Sequence, residues 1–411
     1  MATNLDPTEP SAARRRYGLA LLTYAFVAVM LGTTLPTPMY ALYAEQMHFG
    51  VLTTTVIFAT YAGGVLFALL AFGRWSDALG RRPVLLAGGV AAIASALVFL
   101  AAADVTALLV GRFLSGLSAG LFTGTATAAV IESAPPSWRP RAAAVATTAN
   151  IGGLGLGPVL AGLLVQYAPA PLQLAFEVHI ALVLLAIGAV AFAAETSRRQ
   201  GRIGFQRLSV PAQTRAVFAV AATAGFAGFA VLGLFSAVAP SFVSGVIGIA
   251  NHATAGLVVG TAFAGSAVAQ LVAVRFRSSR ALAVGCAVLL VGLLALALAL
   301  WSASLPLLVV AALLLGCGQG VSFGRGLAAV SDRTPVERRA EVNSTYFVVA
   351  YVAISLPVIG VGLAAQRWGL QTAGVSFALA VGVLTAVCLV AVVVQQRRES
   401  RAELRVGASE R

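Results

Sequence analysis

Ionisable side chains inside long apolar runs are where chemistry concentrates in a sequence like this one, because hydrocarbon supplies neither water nor a counter-charge. Arg112 is one such residue, in a run that places Leu108, Arg112, Ser115, Gly116, Ser118, Ala119 and Gly120 in order, and Arg325 is another. Glu177 and His179 share a third run. Two positions apart on a helix, they point about 200° from each other, so only one of them can face a bundle. An imidazole changes charge near neutral pH, which suits His179 to carrying a proton. The sequence contains no glycine-rich phosphate loop with lysine, no His-Glu-x-x-His pair and no Cys/His cluster. Nucleotide hydrolysis, a metal site and enzymatic catalysis therefore lack support, and no cofactor is expected. Cys286, Cys317 and Cys388 lie in apolar stretches and read as small core residues.

Two glycine-rich elements have a different character. The first reads Gly73, Arg74, Trp75, Ser76, Asp77, Ala78, Leu79, Gly80, Arg81, Arg82. So short a polar turn needs glycine where backbones approach or φ is positive, an acid to meet helix-end amides or an arginine, and cations facing lipid headgroups. The second runs from Gly153 through Gly155, Gly157 and Pro158 to Gly162. Small residues four apart allow close helix packing, and the proline frees a carbonyl and bends the helix.

Only a membrane-embedded scaffold can position these groups. Of the 411 residues, 59% are hydrophobic and 10% charged, which excludes a soluble multidomain enzyme, a disordered chain or a disulfide scaffold. All 27 basic residues are arginine, and the net charge of +13 comes from arginines between apolar runs, which speaks against nucleic acid. Runs long enough to cross about 30 Å of hydrocarbon fall near 17–43, 53–73, 83–103, 106–131, 142–166 and 171–194. Six more fall near 213–243, 252–274, 281–301, 305–330, 342–365 and 371–394. With twelve spans, both tails and alternate loops share one face, and that face holds every arginine except Arg112, Arg325 and Arg367. The positive-inside rule then makes both tails cytoplasmic.

A shift of 200 residues aligns the fourth and fifth spans with the tenth and eleventh: Gly116, Gly120, Gly124, Pro135, Arg139, Gly162 and Gln166 meet Gly316, Gly320, Gly324, Pro335, Arg339, Gly362 and Gln366, and Glu132 meets Asp332. The expected organisation is an all-α membrane protein of two six-helix bundles. A tail (1–16), the first bundle (17–194), a cytoplasmic linker (195–212), the second bundle (213–394) and a C-terminal tail (395–411) follow in order. Such six-span repeats hold substrate near the midplane between the halves.

The loop from Gly73 to Arg82 resembles the signature loop of the major facilitator superfamily, G-x-x-x-D-x-x-G-R-[RK], at its expected place after the second span. The corresponding loop of the second half, around Arg275, Arg277 and Arg280, keeps charge without the Gly and Asp. The fourth span resembles that family's L-x-x-x-R-x-x-Q-G-x-G-A-A pattern, with Ser115 in place of Gln. The fifth resembles its antiporter motif G-x-x-x-G-P-x-x-G-G, with Ala161 as the departure. The resemblance implies a proton-coupled exporter of drugs or metabolites, a monomeric multi-pass protein of the bacterial cytoplasmic (inner) membrane.

It implies a gating role for Gly73, Asp77, Gly80, Arg81, Gly153, Gly157, Pro158 and Gly162, and proton coupling at Arg112, with Glu177 and His179 as further candidates. By the fold's usual arrangement, Tyr24, Thr123, Phe226, Phe235, Gln319, Ser322 and Arg325, with Asn150 and Tyr346, line the substrate path. Partners are a small molecule, protons and the lipid bilayer. An uptake symporter for a small organic acid or sugar is the rival within transport, and a non-transporting receptor or scaffold the rival outside it. The first span carries no acid between Arg16 and Glu45, so a neutral, zwitterionic or anionic substrate is expected.

Overall fold

The structure, a computed structural model, describes residues 12–409 apart from 198, 200, 274, 276 and 277. Residues 1–11 of the expected N-terminal tail, Arg198 of the linker, Arg277 of the second-half loop and Arg411 lie outside the described residues. Twelve helices are long and apolar enough to cross a membrane, and no strand occurs among the described residues. Helices are what the composition demands: in hydrocarbon every backbone N–H and C=O must be paired within its own segment.

The first half consists of α1 (Ala12–Thr34), α2 (Val51–Phe72), α3 (Arg81–Leu100), α4 (Val105–Ser133), α5 (Arg139–Tyr167) and α6 (Leu174–Phe192). The second consists of α7 (Arg215–Gly245), α8 (His252–Ala273), α9 (Ser278–Trp301), α10 (Leu305–Asp332), α11 (Arg339–Trp368) and α12 (Leu370–Ser409). The expected first span, 17–43, is not one helix. Pro36 and Pro38 lack the N–H that would continue it. After Thr34 the chain makes a short 3-10 turn, Thr37–Met39, and a separate helix, Tyr40–Met47. At the other end of the chain, α12 runs past residue 394 into the arginine-rich tail.

Packing repeats between the halves. Within the first, α2 lies on α4, α3 on α4 and α6, and α1 on α4, α5 and α6; the second half repeats each pair as α8 on α10, α9 on α10 and α12, and α7 on α10, α11 and α12. The halves meet through α2 against α11 and α5 against α8. The matched glycines explain why the repeat survives in sequence. A Cβ on Gly116 would run into the Tyr61 carbonyl and one on Gly120 would sit 2.5 Å from Ala68 Cβ, while Gly316 and Gly320 press on the carbonyls of Ala262 and Ser266. In both halves glycine lets the fourth helix of a bundle touch the backbone of the second.

Gly316→Val should therefore overpack the α8–α10 contact and cost about 1–3 kcal/mol, seen as a lower melting temperature and yield of the purified protein. Gly188→Ala, where a Cβ meets nothing within 4 Å, should melt like the parent.

Candidate functional site

The loop after α2 is built around one arginine. Trp75–Leu79 forms a single helical turn that ends at Gly80, whose φ of 113° favours glycine. A Cβ at Gly80 would collide with the Glu195 carboxylate. Arg81 Nη1 then donates to Asp77 Oδ1 at 2.6 Å and to Ser76 Oγ at 2.8 Å. Its Nη2 and Nε donate to Glu132 Oε1 and Oε2 at 2.9 and 3.3 Å. This fork ties the loop to the end of α4 in the planar geometry guanidinium and carboxylate share. Gly73, at the end of α2, leaves no room for a Cβ against the Leu69 carbonyl.

The residue that completes this assembly escaped the sequence reading. Glu195, just after α6, accepts from the backbone N–H groups of Arg81 and Arg82 at 2.8 and 3.1 Å and of Thr196 and Ser197 at 3.0 Å. It caps the N-terminus of α3, where orphan amides and the helix dipole favour an anion. Partial burial pushes its carboxyl toward a higher pKa, but the four backbone donors outweigh that and hold it below the usual carboxylate range. Thr196 Oγ1 donates to Glu132 Oε2 at 2.6 Å. The linker then lies against the loop, with Gly201 N–H on the Asp77 carbonyl and Gln206 N–H on the Leu70 carbonyl, and reaches α11 where Ser209 N–H meets Thr345 Oγ1. An acid whose partners are backbone amides of a distant helix leaves no motif.

Arg112 is 1% exposed, so it does not snorkel to an interface. Its Nη1 donates to the Thr33 carbonyl at 2.5 Å, and its guanidinium lies over the rings of Tyr61 (4.7 Å) and Phe58 (5.4 Å). Thr33 is in the last turn of α1, whose carbonyls lack following donors because the helix stops before Pro36. Arg112 thus caps the negative end of α1 while using two aromatic faces of α2 to offset its burial.

The fifth-span element faces two ways. Gly153 and Gly157 pack on α1, against the Val27 and Leu31 carbonyls, while Gly162 packs on α8, where a Cβ would sit 3.2 Å from Ala253 Cα and 3.3 Å from Gly256 Cα. Pro158, whose own carbonyl presses on Gly256, cannot donate to the Leu154 carbonyl four residues back. Thr34 Oγ1 does so instead at 2.6 Å. One glycine-proline stretch therefore joins the end of α1 to the other half.

The remaining candidates separate by exposure. Tyr24 Oη donates to the Leu182 carbonyl on α6. Glu177 is exposed, whereas His179 is 4% exposed and inside, so the pair divides as their spacing requires. Thr123 bonds its own helix at the Ala119 carbonyl. Phe235 and Ser322 are fully buried. Gln319 Oε1 accepts from Ser266 Oγ at 2.6 Å, and Tyr346 Oη donates to the Ala221 carbonyl at 3.1 Å. Asn150, Phe226 and Arg325 are half-buried. Around Phe323 gather Phe229, Tyr346 and Phe347, at ring distances of 4.8, 5.4 and 5.7 Å, an aromatic group that periodicity alone did not single out.

Close contacts between the halves gather on the face away from the arginines: Gly162 on His252 and Ala253, Gly362 on Leu52 and Thr55, and His252 N–H on Gln166 Oε1 at 2.9 Å. Toward the arginine-rich face, Gly124 of α4 is exposed and a Cβ there meets nothing within 4 Å.

The model of the Major Facilitator Superfamily matches residues 22–356 and 221–410. Among curated relatives, the multidrug transporter MdfA of Escherichia coli O157:H7 is 32% identical over 28% of this chain and 28% of its own length. The class E tetracycline resistance protein of Escherichia coli is 32% identical over 30% and 31%. The chain spans less than a third of the length of these relatives. Two solved structures share its fold. A bacterial homologue of the human lysosomal transporter Spinster, inward-facing and unoccupied, has a TM-score of 0.71 at 15% identity, covering 93% of this chain and 98% of that one. The human organic anion transporter MFSD10 has a TM-score of 0.66 at 18% identity, covering 93% and 100%.

The Glu195 cap makes a pH prediction. Its depressed folded-state pKa contributes stability above the unfolded pKa, and that stability is lost as pH falls through the folded value. The melting-temperature gap between parent and Glu195→Gln should be constant near neutrality and close on acidification below the ordinary carboxylate range. A gap that widens in acid would contradict the cap.

Proposed function

The chain belongs to the major facilitator superfamily, and from that premise we propose that it exports a small molecule by alternating access in exchange for protons. The arginine-rich face is cytoplasmic in this reading, and the arrangement described above is the one open to the cytoplasm. The observation that carries the proposal is the Gly153–Gly162 element, which seats α5 on α1 within its half and on α8 of the other. Rocking one half against the other must roll this glycine surface, and close packing without side chains is what permits it. The multidrug and tetracycline resistance relatives agree with export. The Arg81–Asp77–Glu132 assembly, with Glu195 behind it, ties the loop, α4 and the start of the linker into one unit of the first half, and in this account gates by moving with that half.

The substrate is neutral, zwitterionic or anionic. A cation in low dielectric needs a carboxylate, and the expected path-lining residues supply none. Arg112 is committed to Thr33 and two rings.

Substrate-induced proton release from everted vesicles, screened over a compound panel, tests direction and coupling together. The parent should release protons with at least one compound. Asp77→Asn should lose most of that activity with normal expression, and Gly157→Leu should abolish it. Proton-driven accumulation into intact cells would favour the uptake rival, and silence with every compound the receptor or scaffold. Within the same panel, quaternary ammonium dyes should compete poorly and organic anions well; the reverse order would overturn the charge assignment.

A further inference from the structure

Between α1, α3, α4 and α6 lies a small cavity lined by Gly32, Thr33, Ser95, Ser115, Phe176 and His179 among others, with room for about one water molecule. His179 supplies its unusual feature. One ring nitrogen is held by the Ala28 carbonyl. The other, Nε2, is buried with no hydrogen-bond partner and faces Gly32, where a Cβ would overlap the ring. A buried nitrogen lone pair with no donor, on a ring that lines a cavity, is costly unless it is used. Ser115, standing where the family pattern carries Gln, lines the same space, and the shorter side chain leaves the cavity open.

We propose that His179 is a proton-binding site of the first half, and that its occupancy decides whether α1 and α6 stay together. This rests on the transport reading, as the identity of the group that carries the exchanged ion. The step is a single protonation: the Nε2 lone pair takes a proton delivered through cavity water from the face away from the arginines, and the imidazole becomes an imidazolium. No other bond changes, and the local charge rises by one.

The neighbours set the consequence. His179 rests on Gly32, and Arg112 is bound to the carbonyl of the next residue, Thr33. No carboxylate lines the cavity, and Glu177 on α6 itself is exposed on another face. From α1, Tyr24 is turned to Leu182. The lining residues of α3, among them Ser95 and Phe99, bring no ionisable group. Tyr43, beyond Phe99, contacts that ring and not the cavity, and Tyr40 lies in the field of Arg112. Protonation therefore places a cation in a buried site with nothing lining it to balance the charge. The proton favours an arrangement in which α1 and α6 part and the site hydrates. Because the same end of α1 carries Thr34 on Leu154 and leads into the turn that touches α7 and α8, the proton acts on the closure opposite the arginines. Protons then bind from that side and leave when the cytoplasmic side opens, the order an exchanger needs.

The test reads the proton and the conformation without any transported compound. The chain has three histidines, so histidine-selective 15N labelling of the full protein in nanodiscs, with His179→Asn for assignment, resolves this ring. The expected result is a bare Nε2 at pH 7.5 and a single protonation step on acidification. In parallel, a cysteine at Gly124 in a background lacking Cys286, Cys317 and Cys388 reports opening toward the arginine-rich face through its reaction with a membrane-impermeant maleimide. Labelling should fall severalfold on acidification in the parent and become pH-independent in His179→Asn and in His179→Gln. A ring that never titrates, or unchanged pH dependence in both substitutions, would overturn the proposal. Failure of the vesicle assay alone would reject the export reading and leave these measurements standing.

Discussion

A carbonyl stripped of its donor inside hydrocarbon has to find another, and this constraint organises the first half of the molecule. Three prolines create the problem: Pro36 and Pro38 stop α1, and Pro158 interrupts the ladder of α5. The answers are Arg112 on the Thr33 carbonyl and Thr34 on the Leu154 carbonyl. Between them they tie the end of α1 to α4 and to α5. Arg112 in turn needs the rings of Tyr61 and Phe58 over it, which brings in α2, the helix that meets α11 across the halves. This end of the first half is thus built on bonds that exist because helices are broken there.

The other face uses a different currency. There water is near, and the links are ionic and salt-sensitive: Arg81 with Asp77 and Glu132, and Glu195 on the first amides of α3. Surface ion pairs of this kind are individually weak, so the assembly gains from sharing. Glu132 accepts from both Arg81 and Thr196, and Glu195 from four amides. Weak, plural links near water contrast with the buried carbonyl bonds at the opposite face, each of which satisfies a single acceptor.

How much of this the sequence revealed depends on whether a feature had a spacing. Twelve spans, two halves and the close-packed glycines are legible, because hydrophobic length, arginine alternation and a 200-residue repeat each leave a pattern. Arg112 is legible as a costly buried charge, though its partner is a backbone carbonyl that no side-chain motif names. The opposed faces of Glu177 and His179 follow from helical geometry, but which face turns inward is decided by how α6 packs on α1 and α3. The bond from Tyr24 to the Leu182 carbonyl depends on that packing too. Glu195 and Thr34 were missed because their functions lie in satisfying the backbone of another helix; only Pro158, which frees the Leu154 carbonyl, hinted that a donor such as Thr34 must exist.

The dependence of the α1–α5 junction on a freed carbonyl is tested most directly by a double-mutant cycle between Thr34 and Pro158, read as stability of the purified protein. Thr34→Val alone should cost about 1 kcal/mol, since it leaves the Leu154 carbonyl unpaired. In a Pro158→Ala background the helix supplies its own N–H, and the same substitution should then cost close to nothing. Equal costs in the two backgrounds would mean that the Thr34 bond is incidental and that the junction rests on packing alone.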